Sequence, residues 1–253
     1  MEKARHARPG RLAHAATGAF RAAEELLALV APPGCASCGS ELERGAGEGL
    51  CPACEDEFPQ PRPAACAGCG SVPAPGPADF CARCGDLFCR DGLVALAPFE
   101  GKVREMLHAF KYGGDLRAGN CLARRLAGRV AAELDGRCDV IVPVPLHFRR
   151  LRSRGFNQAA LLARGISRKT GWPLRAVALR RSVHTRSLAG LNVRERRKEV
   201  GGAMAVRRAA AVAGRRVLLV DDVCTSGATA EECCRVLRKS GALEVYVAAA
   251  GRA

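Results

Sequence analysis

The sequence predicts an α/β protein, a parallel sheet flanked by helices and preceded by a small cysteine-rich module. Three observations predict it. Apolar runs of strand length, such as "DVIVPVP" and "RVLLVDD", alternate with segments of helical periodicity. That order builds a parallel sheet covered on both faces. Four Cys-x-x-Cys pairs crowd the first third of the chain, a spacing that suits tetrahedral metal sites. Prolines at 59, 61, 63, 73, 75 and 77 punctuate that region, and the chain changes character after about residue 88. The expected organisation is a basic segment and helix over 1–33, a metal module over 34–88 and an α/β domain over 89–253.

Taken in order, His14 to Val30 reads as a helix with Phe20, Leu26, Leu27 and Val30 as an incomplete apolar stripe, stopped by Pro32-Pro33-Gly34. Lys3, Arg5, Arg8 and Arg11 precede it, but Glu24 and Glu25 interrupt the apolar run, which argues against a signal peptide. No stretch reaches the length of a bilayer span, and a cytoplasmic protein is expected.

The cysteine pairs are Cys35/Cys38, Cys51/Cys54, Cys66/Cys69 and Cys81/Cys84. Two intervening residues let both sulfurs of a pair face one metal. The 12 and 11 residues between successive pairs of each half leave room for a hairpin. Gly39, Gly70 and Gly85 suit the knuckle turns. This is the zinc-ribbon pattern in two copies. Cys35, Cys38, Cys51 and Cys54 are expected on one zinc, and Cys66, Cys69, Cys81 and Cys84 on a second; pairing the first pair with the third also satisfies the spacing. A disulfide framework would need an oxidising compartment. Such a module has little apolar core, so metal binding would supply its folding energy. Cys89, Cys121, Cys138, Cys224, Cys233 and Cys234 show no ligand spacing and read as small core or surface residues.

In the remainder, "LVALAPF" reads as a strand. Lys102 to Tyr112 carries Val103, Met106, Leu107 and Phe110 at helical spacing, and Leu122 to Leu134 carries Leu122, Leu126, Val130 and Leu134. "DVIVPVP" is a strand ended by Pro143 and Pro145. A helix over Asn157 to Lys169 and a strand at "LRAVAL" follow. Arg186 to Met204 is polar and glycine-flanked, a loop or short helix. "RVLLVDD" is the clearest strand, Ala228 to Lys239 a helix stopped at Gly241, and "LEVYVAAA" the last strand.

"RVLLVDDVCTSGAT" places Asp221 and Asp222 at a strand end, where such sheets bind ligands. Neighbouring carboxylates are costly unless something binds them. A sugar diol donating two hydroxyls does so, aided by Mg²⁺. Thr225, Ser226, Gly227, Ala228 and Thr229 then lead into a helix start, whose N–H groups and hydroxyls suit a phosphate dianion. The two together fit a ribose 5-phosphate. Charge points the same way. The chain carries a net +15, and between Leu146 and Arg216 17 arginines and two lysines face only Glu195 and Glu199, a net +17 that leaves −2 elsewhere. So concentrated a field favours phosphates or nucleic acid.

Here "VLLVDDVCTSGAT" resembles the phosphoribosyl diphosphate (PRPP) loop of the type I phosphoribosyltransferases: apolar strand, two acids, then a Thr/Ser-rich turn with glycine. "VPVPLHFRRLRSRGFNQAALLA", "FKYGGD", "GLNVRERR", "VYVAAAGRA" and the double cysteine module resemble one branch, the ComF/GntX (competence protein F) family, over nearly the whole chain from about residue 17. The resemblance implies a type I phosphoribosyltransferase-like sheet behind a zinc ribbon. It implies that Asp221 and Asp222 fix the ribose as the catalytic pair, and that Thr225 to Thr229 hold the 5-phosphate. It implies a diphosphate loop with Arg149, Arg152, Arg154 and Gly155, and a flexible loop with Arg186 and Arg194. Ser187-Leu188 stands where the family usually carries Pro-Gln. The implied activity is binding of PRPP, or another phosphorylated ribose, with Mg²⁺, and transfer of phosphoribosyl to an unidentified acceptor. The alternatives are a non-catalytic protein of DNA uptake, partnered by single-stranded DNA or DNA-uptake proteins, and a sensor of PRPP.

Overall fold

The fold is that of a computed structural model, which describes residues 34–42, 49–60, 91–182, 193–225 and 227–252. The expected helix at 14–30, the pairs Cys66/Cys69 and Cys81/Cys84, and Gly70, Gly85 and Cys89 lie outside these residues.

The described elements are α1 (Pro52–Asp56), β1 (Gly92–Pro98), α2 (Gly101–Tyr112), α3 (Leu116–Glu133), β2 (Val140–Pro143), α4 (Phe148–Arg154), α5 (Gln158–Thr170), β3 (Leu179–Arg181), α6 (Val193–Val200), β4 (Met204–Val206), a 3₁₀ turn (Ala209–Ala211), β5 (Arg216–Cys224), α7 (Ala228–Lys239) and β6 (Glu244–Arg252). Four strands form a sheet in the order β1-β6-β5-β2. Every neighbour is parallel, with Val140 opposite Val217, Arg216 opposite Glu244 and Gly92 opposite Tyr246. A separate antiparallel pair joins β3 to β4.

Strand alternation divides the interior in two. Leu218 and Val220 of β5 join Ile141, Ala248 and Ala250 in a core completed by α2, α3 and α5. Val217 and Leu219 point the other way, with Val140, Val142, Val245 and Val247, against Cys233, Cys234 and Leu237 of α7. The strands are apolar throughout because both faces are covered. Val103, Met106, Leu107 and Phe110 of α2 are all buried, as the spacing predicted, and each large apolar side chain so buried contributes roughly 1.5–3 kcal/mol. Gly119 of α3 admits the Phe110 ring: a Cβ there would sit 2.3 Å from it. Cys35, Ala36, Leu42, Leu50, Cys54 and Phe58 extend the first core, so the cysteine module rests on the domain. Cys121, Cys138, Cys224, Cys233 and Cys234 are buried, as small core residues.

Three expectations are corrected. The helix expected from Leu122 starts at Leu116, because the Asp115 carboxylate accepts from the N–H groups of Arg117 and Ala118 and so caps it. "LRAVAL" is not one strand: Leu174 makes a single bridge to Ile141, and a turn bonded from Ala178 N to Arg175 O breaks the run before β3. The segment read as a loop after β2 contains α4, which buries no residue and so carries no apolar period. Within 186–204, expected as a loop or short helix, the described residues include the short helix α6, and Met204 opens β4.

Candidate functional site

At the carboxyl end of β5 the buried residues Val217 to Val220 give way to Asp221 and Asp222, both partly exposed. The strand continues to Cys224, pairing Asp221 with Ala249 and Val223 with Gly251. The Asp222 N–H donates to Asp221 Oδ1 at 2.8 Å. Lys111, in the last turn of α2, places its Nζ 3.0 Å from Asp222 Oδ2, with side-chain exposures of 18% and 16%. Burial, and then the charge of Asp222, push the Asp221 carboxyl up to about 7, while the Asp222 N–H and the charges of Lys111 and Arg181 pull it down. Arg181, at the end of β3, is itself lowered by burial and by the like charge of Arg150, with Asp221 opposing. Sequence reasoning missed both cations. "FKYGGD" carried only a resemblance, and Arg181 is one arginine among many.

Beyond the acids the chain turns into α7. Gly227, at φ +74°, occupies the cap position and has no side chain to bond the first N–H groups of the helix. Left-handed backbone of this kind favours glycine. Ala228 is buried and Thr229 half-buried, Thr225 is exposed, and Ser226 lies outside the described residues.

The basic stretch after β2 leaves the same end of the sheet, since Pro143 pairs with Val220 and Val144 N donates to Val220 O. Arg149 and Arg152 are exposed on α4. Arg154 is half-buried: its guanidinium stands 5.3 Å from the Tyr112 ring centre and donates to Gln158 Oε1. Gly155, at φ +78°, ends the helix. Arg186 lies outside the described residues; Arg194 belongs to α6, with its side chain outside the description.

A second cluster sits in the cysteine module. The Sγ atoms of Cys35, Cys38, Cys51 and Cys54 all lie within 4.8 Å of one another, which unites the first two pairs. Gly39, at φ +80°, makes the knuckle turn, and its N–H donates to Cys35 O at 2.9 Å. The N–H groups of Ser37 and Cys51 donate to Cys35 Sγ. Hydrogen bonding from Ser40 lowers Cys38 to about 6. Four converging sulfurs with N–H···S support fit a tetrahedral thiolate site for zinc. The described part of the module is tied down just after Cys54. Arg125 of α3 pairs with Glu55 and lies 4.5 Å from the Phe58 ring centre. Lys102, in the first turn of α2, meets Glu57 at 3.1 Å.

The family model for the phosphoribosyl transferase domain matches residues 121–251. Competence protein F of Haemophilus influenzae is 40% identical over 121 residues, 46% of this chain, and the chain spans 51% of that relative's length. The DNA utilization protein YhgH of Escherichia coli strain K12 is 33% identical over 161 residues, 61% of this chain and 69% of that protein. Among solved structures, a glutamine PRPP amidotransferase from Bacillus subtilis complexed with ADP and GMP matches with a TM-score of 0.38 and 22% identity, over 56% of this chain and 30% of that one. No helix among the described residues is long and apolar enough to cross a membrane.

Proposed function

Since the chain belongs to the phosphoribosyl transferase domain family, in its competence protein F branch, we propose that it binds PRPP at the carboxyl end of β5. The observation that carries this reading is the adjacent pair Asp221 and Asp222 near the end of β5, followed a few residues later by the start of α7 at Gly227. The two carboxylates accept the 2′- and 3′-hydroxyls of the ribose. The amides and hydroxyls of Thr225, Ser226, Gly227, Ala228 and Thr229 surround its 5-phosphate. Arg149, Arg152 and Arg154 attract the diphosphate through planar guanidinium forks, and Gly155 lets the backbone come close. Arg186 and Arg194 belong to the stretch that the family resemblance reads as its flexible loop. The acids and the diphosphate oxygens are hard donors suited to Mg²⁺, which supplies charge neutralisation for the leaving diphosphate.

With an acceptor present, the bond from C1 of the ribose to diphosphate breaks and a bond from C1 to the acceptor forms. Diphosphate leaves with the electron pair and the arginines stabilise it. The acceptor is a nucleophile of unassigned class, and a sensor would use the same pocket without the transfer.

Titration calorimetry with PRPP and Mg²⁺ tests the reading. Binding is expected for the wild type. The double substitution Asp221→Asn, Asp222→Asn should weaken it by several kcal/mol, because hydrogen bonds to charged groups contribute roughly 1.5–3 kcal/mol each. Gly227→Val should do as much, since φ +74° disfavours valine. No heat at millimolar PRPP sinks the reading.

A second reading has its own observation. Tyr112 and Phe148 are 67% and 66% exposed, and Arg154 and Arg149 lie over their rings. Aromatic faces among arginines suit stacked bases of single-stranded nucleic acid, in keeping with names that attach DNA utilization and competence to relatives.

A further inference from the structure

Lys111 stands apart from the other cations around the acid pair. Exposed lysine ion pairs contribute little, because water screens them and the side chain stays mobile. Here both partners are more than four-fifths buried, at an Nζ to Oδ2 distance of 3.0 Å. The lysine is delivered by rigid structure. Phe110, its neighbour in α2, is fully buried against Phe156 and in the gap left by Gly119. Its other neighbour, Tyr112, lies under Arg154.

The hydrogen bonds at the pair assign each carboxylate one oxygen. Asp221 Oδ1 accepts from the Asp222 N–H, and Asp222 Oδ2 faces Lys111. Among the described residues no other hydrogen bond reaches the pair, which leaves Asp221 Oδ2 and Asp222 Oδ1 as two acceptors on adjacent residues. Two neighbouring single acceptors match the two donors of a vicinal diol.

We infer that Lys111 is a positioning residue of the ribose site: its ammonium holds the Asp222 carboxylate turned so that the remaining oxygens of both acids meet the diol. The inference rests on the PRPP reading above and names a residue that reading did not include. Charge explains the need for it. Two adjacent carboxylates in a partly buried place resist joint ionisation. Asp221 faces Asp222 of its own strand, Lys111 of α2, Arg181 of β3 and Cys233 of α7. Arg181 in turn faces Arg150 of α4 and Glu199 of α6. Of the cations, Lys111 is in direct contact with the pair. Removing it leaves Asp222 without its charged partner and frees its carboxylate to turn.

The test is calorimetry with PRPP and Mg²⁺ at neutral pH, on full-length wild type, Lys111→Met and Lys111→Arg. Thermal melts check that each variant folds. Lys111→Met should weaken binding at least tenfold. Lys111→Arg should recover most of the affinity. Equal affinity in Lys111→Met overturns the inference while leaving the PRPP reading intact. Tighter binding by Lys111→Met overturns it too, since the lysine would then be a competitor for the acids. Absence of binding by the wild type overturns the PRPP reading itself, and the role of Lys111 in it. If Lys111→Met does not fold, Lys111→Gln provides the neutral comparison: the same tenfold loss is expected, and wild-type affinity in it overturns the inference.

Discussion

Asp221 makes the chemistry of the site testable without any ligand. Its folded-state value near 7 exceeds the ordinary carboxyl value of 3.8. Between about pH 4 and 7 the folded protein therefore holds a proton that the unfolded chain has released. Stability from this group is complete below pH 4, falls as pH rises toward 7 and is level above. Asp221→Asn removes the titration, so the denaturant midpoint of the wild type should decline relative to the variant over that window; parallel midpoints would contradict it. Asp139 has the opposite sign. Arg216 grips it through its guanidinium and its backbone N–H and holds it near 2, so its contribution appears above pH 4 and is lost as pH falls through 2. At residue scale the acids, the glycine and the cysteines were legible because each departs from what a plain strand or helix needs. Lys111 and Arg181 were not, since a lysine at helical spacing looks the same in sequence whether it meets water or Asp222.

Among the elements, α2 connects two places that the sequence treats as separate. Lys102 in its first turn meets Glu57 of the cysteine module, and Lys111 in its last meets Asp222. The apolar face between them was legible from its spacing. The start of α3 was hidden because a cap is a local hydrogen bond rather than a periodic pattern, and α4 because a helix with no buried residue leaves no stripe. We propose two zinc ions per chain, on Cys35, Cys38, Cys51 and Cys54 and on Cys66, Cys69, Cys81 and Cys84, and metal analysis under reducing conditions should find two. Stripping the metal, or substituting Cys35→Ser, should free the backbone that presents Glu55, Glu57 and Phe58 to α3 and α2. Amides of those two helices should then exchange hydrogen faster, by tenfold or more, while those of β5 and β6 keep their protection. Unchanged exchange in α2 and α3 would show that the module merely rests on the domain.

For the whole molecule, the parallel order β1-β6-β5-β2 was legible as a class, because strands covered on both faces cannot alternate polar and apolar residues. The neighbours of each strand were not, since pairing is decided by crossovers that periodicity does not encode. That order gives the charge asymmetry a location. The +17 stretch from Leu146 to Arg216 begins just after the edge strand β2 and ends at β5, so its exposed residues Arg149, Arg152, Arg164, Arg168, Arg175 and Arg180 belong to the elements around that edge. If single-stranded DNA binds there, phosphate contacts should dominate, and affinity should fall steeply between about 50 and 200 mM salt, with a log–log slope of about 0.7 per phosphate neutralised. Stacking makes a separate, salt-insensitive contribution of roughly 1–3 kcal/mol per base. The double substitution Tyr112→Ala, Phe148→Ala should therefore weaken binding of an oligothymidine, read by fluorescence anisotropy, without changing the salt slope. Arg149→Ala with Arg152→Ala should lower the slope. A slope near zero, or a preference for one base sequence, would mean that this edge does not read a polyanion and that its arginines serve the diphosphate alone.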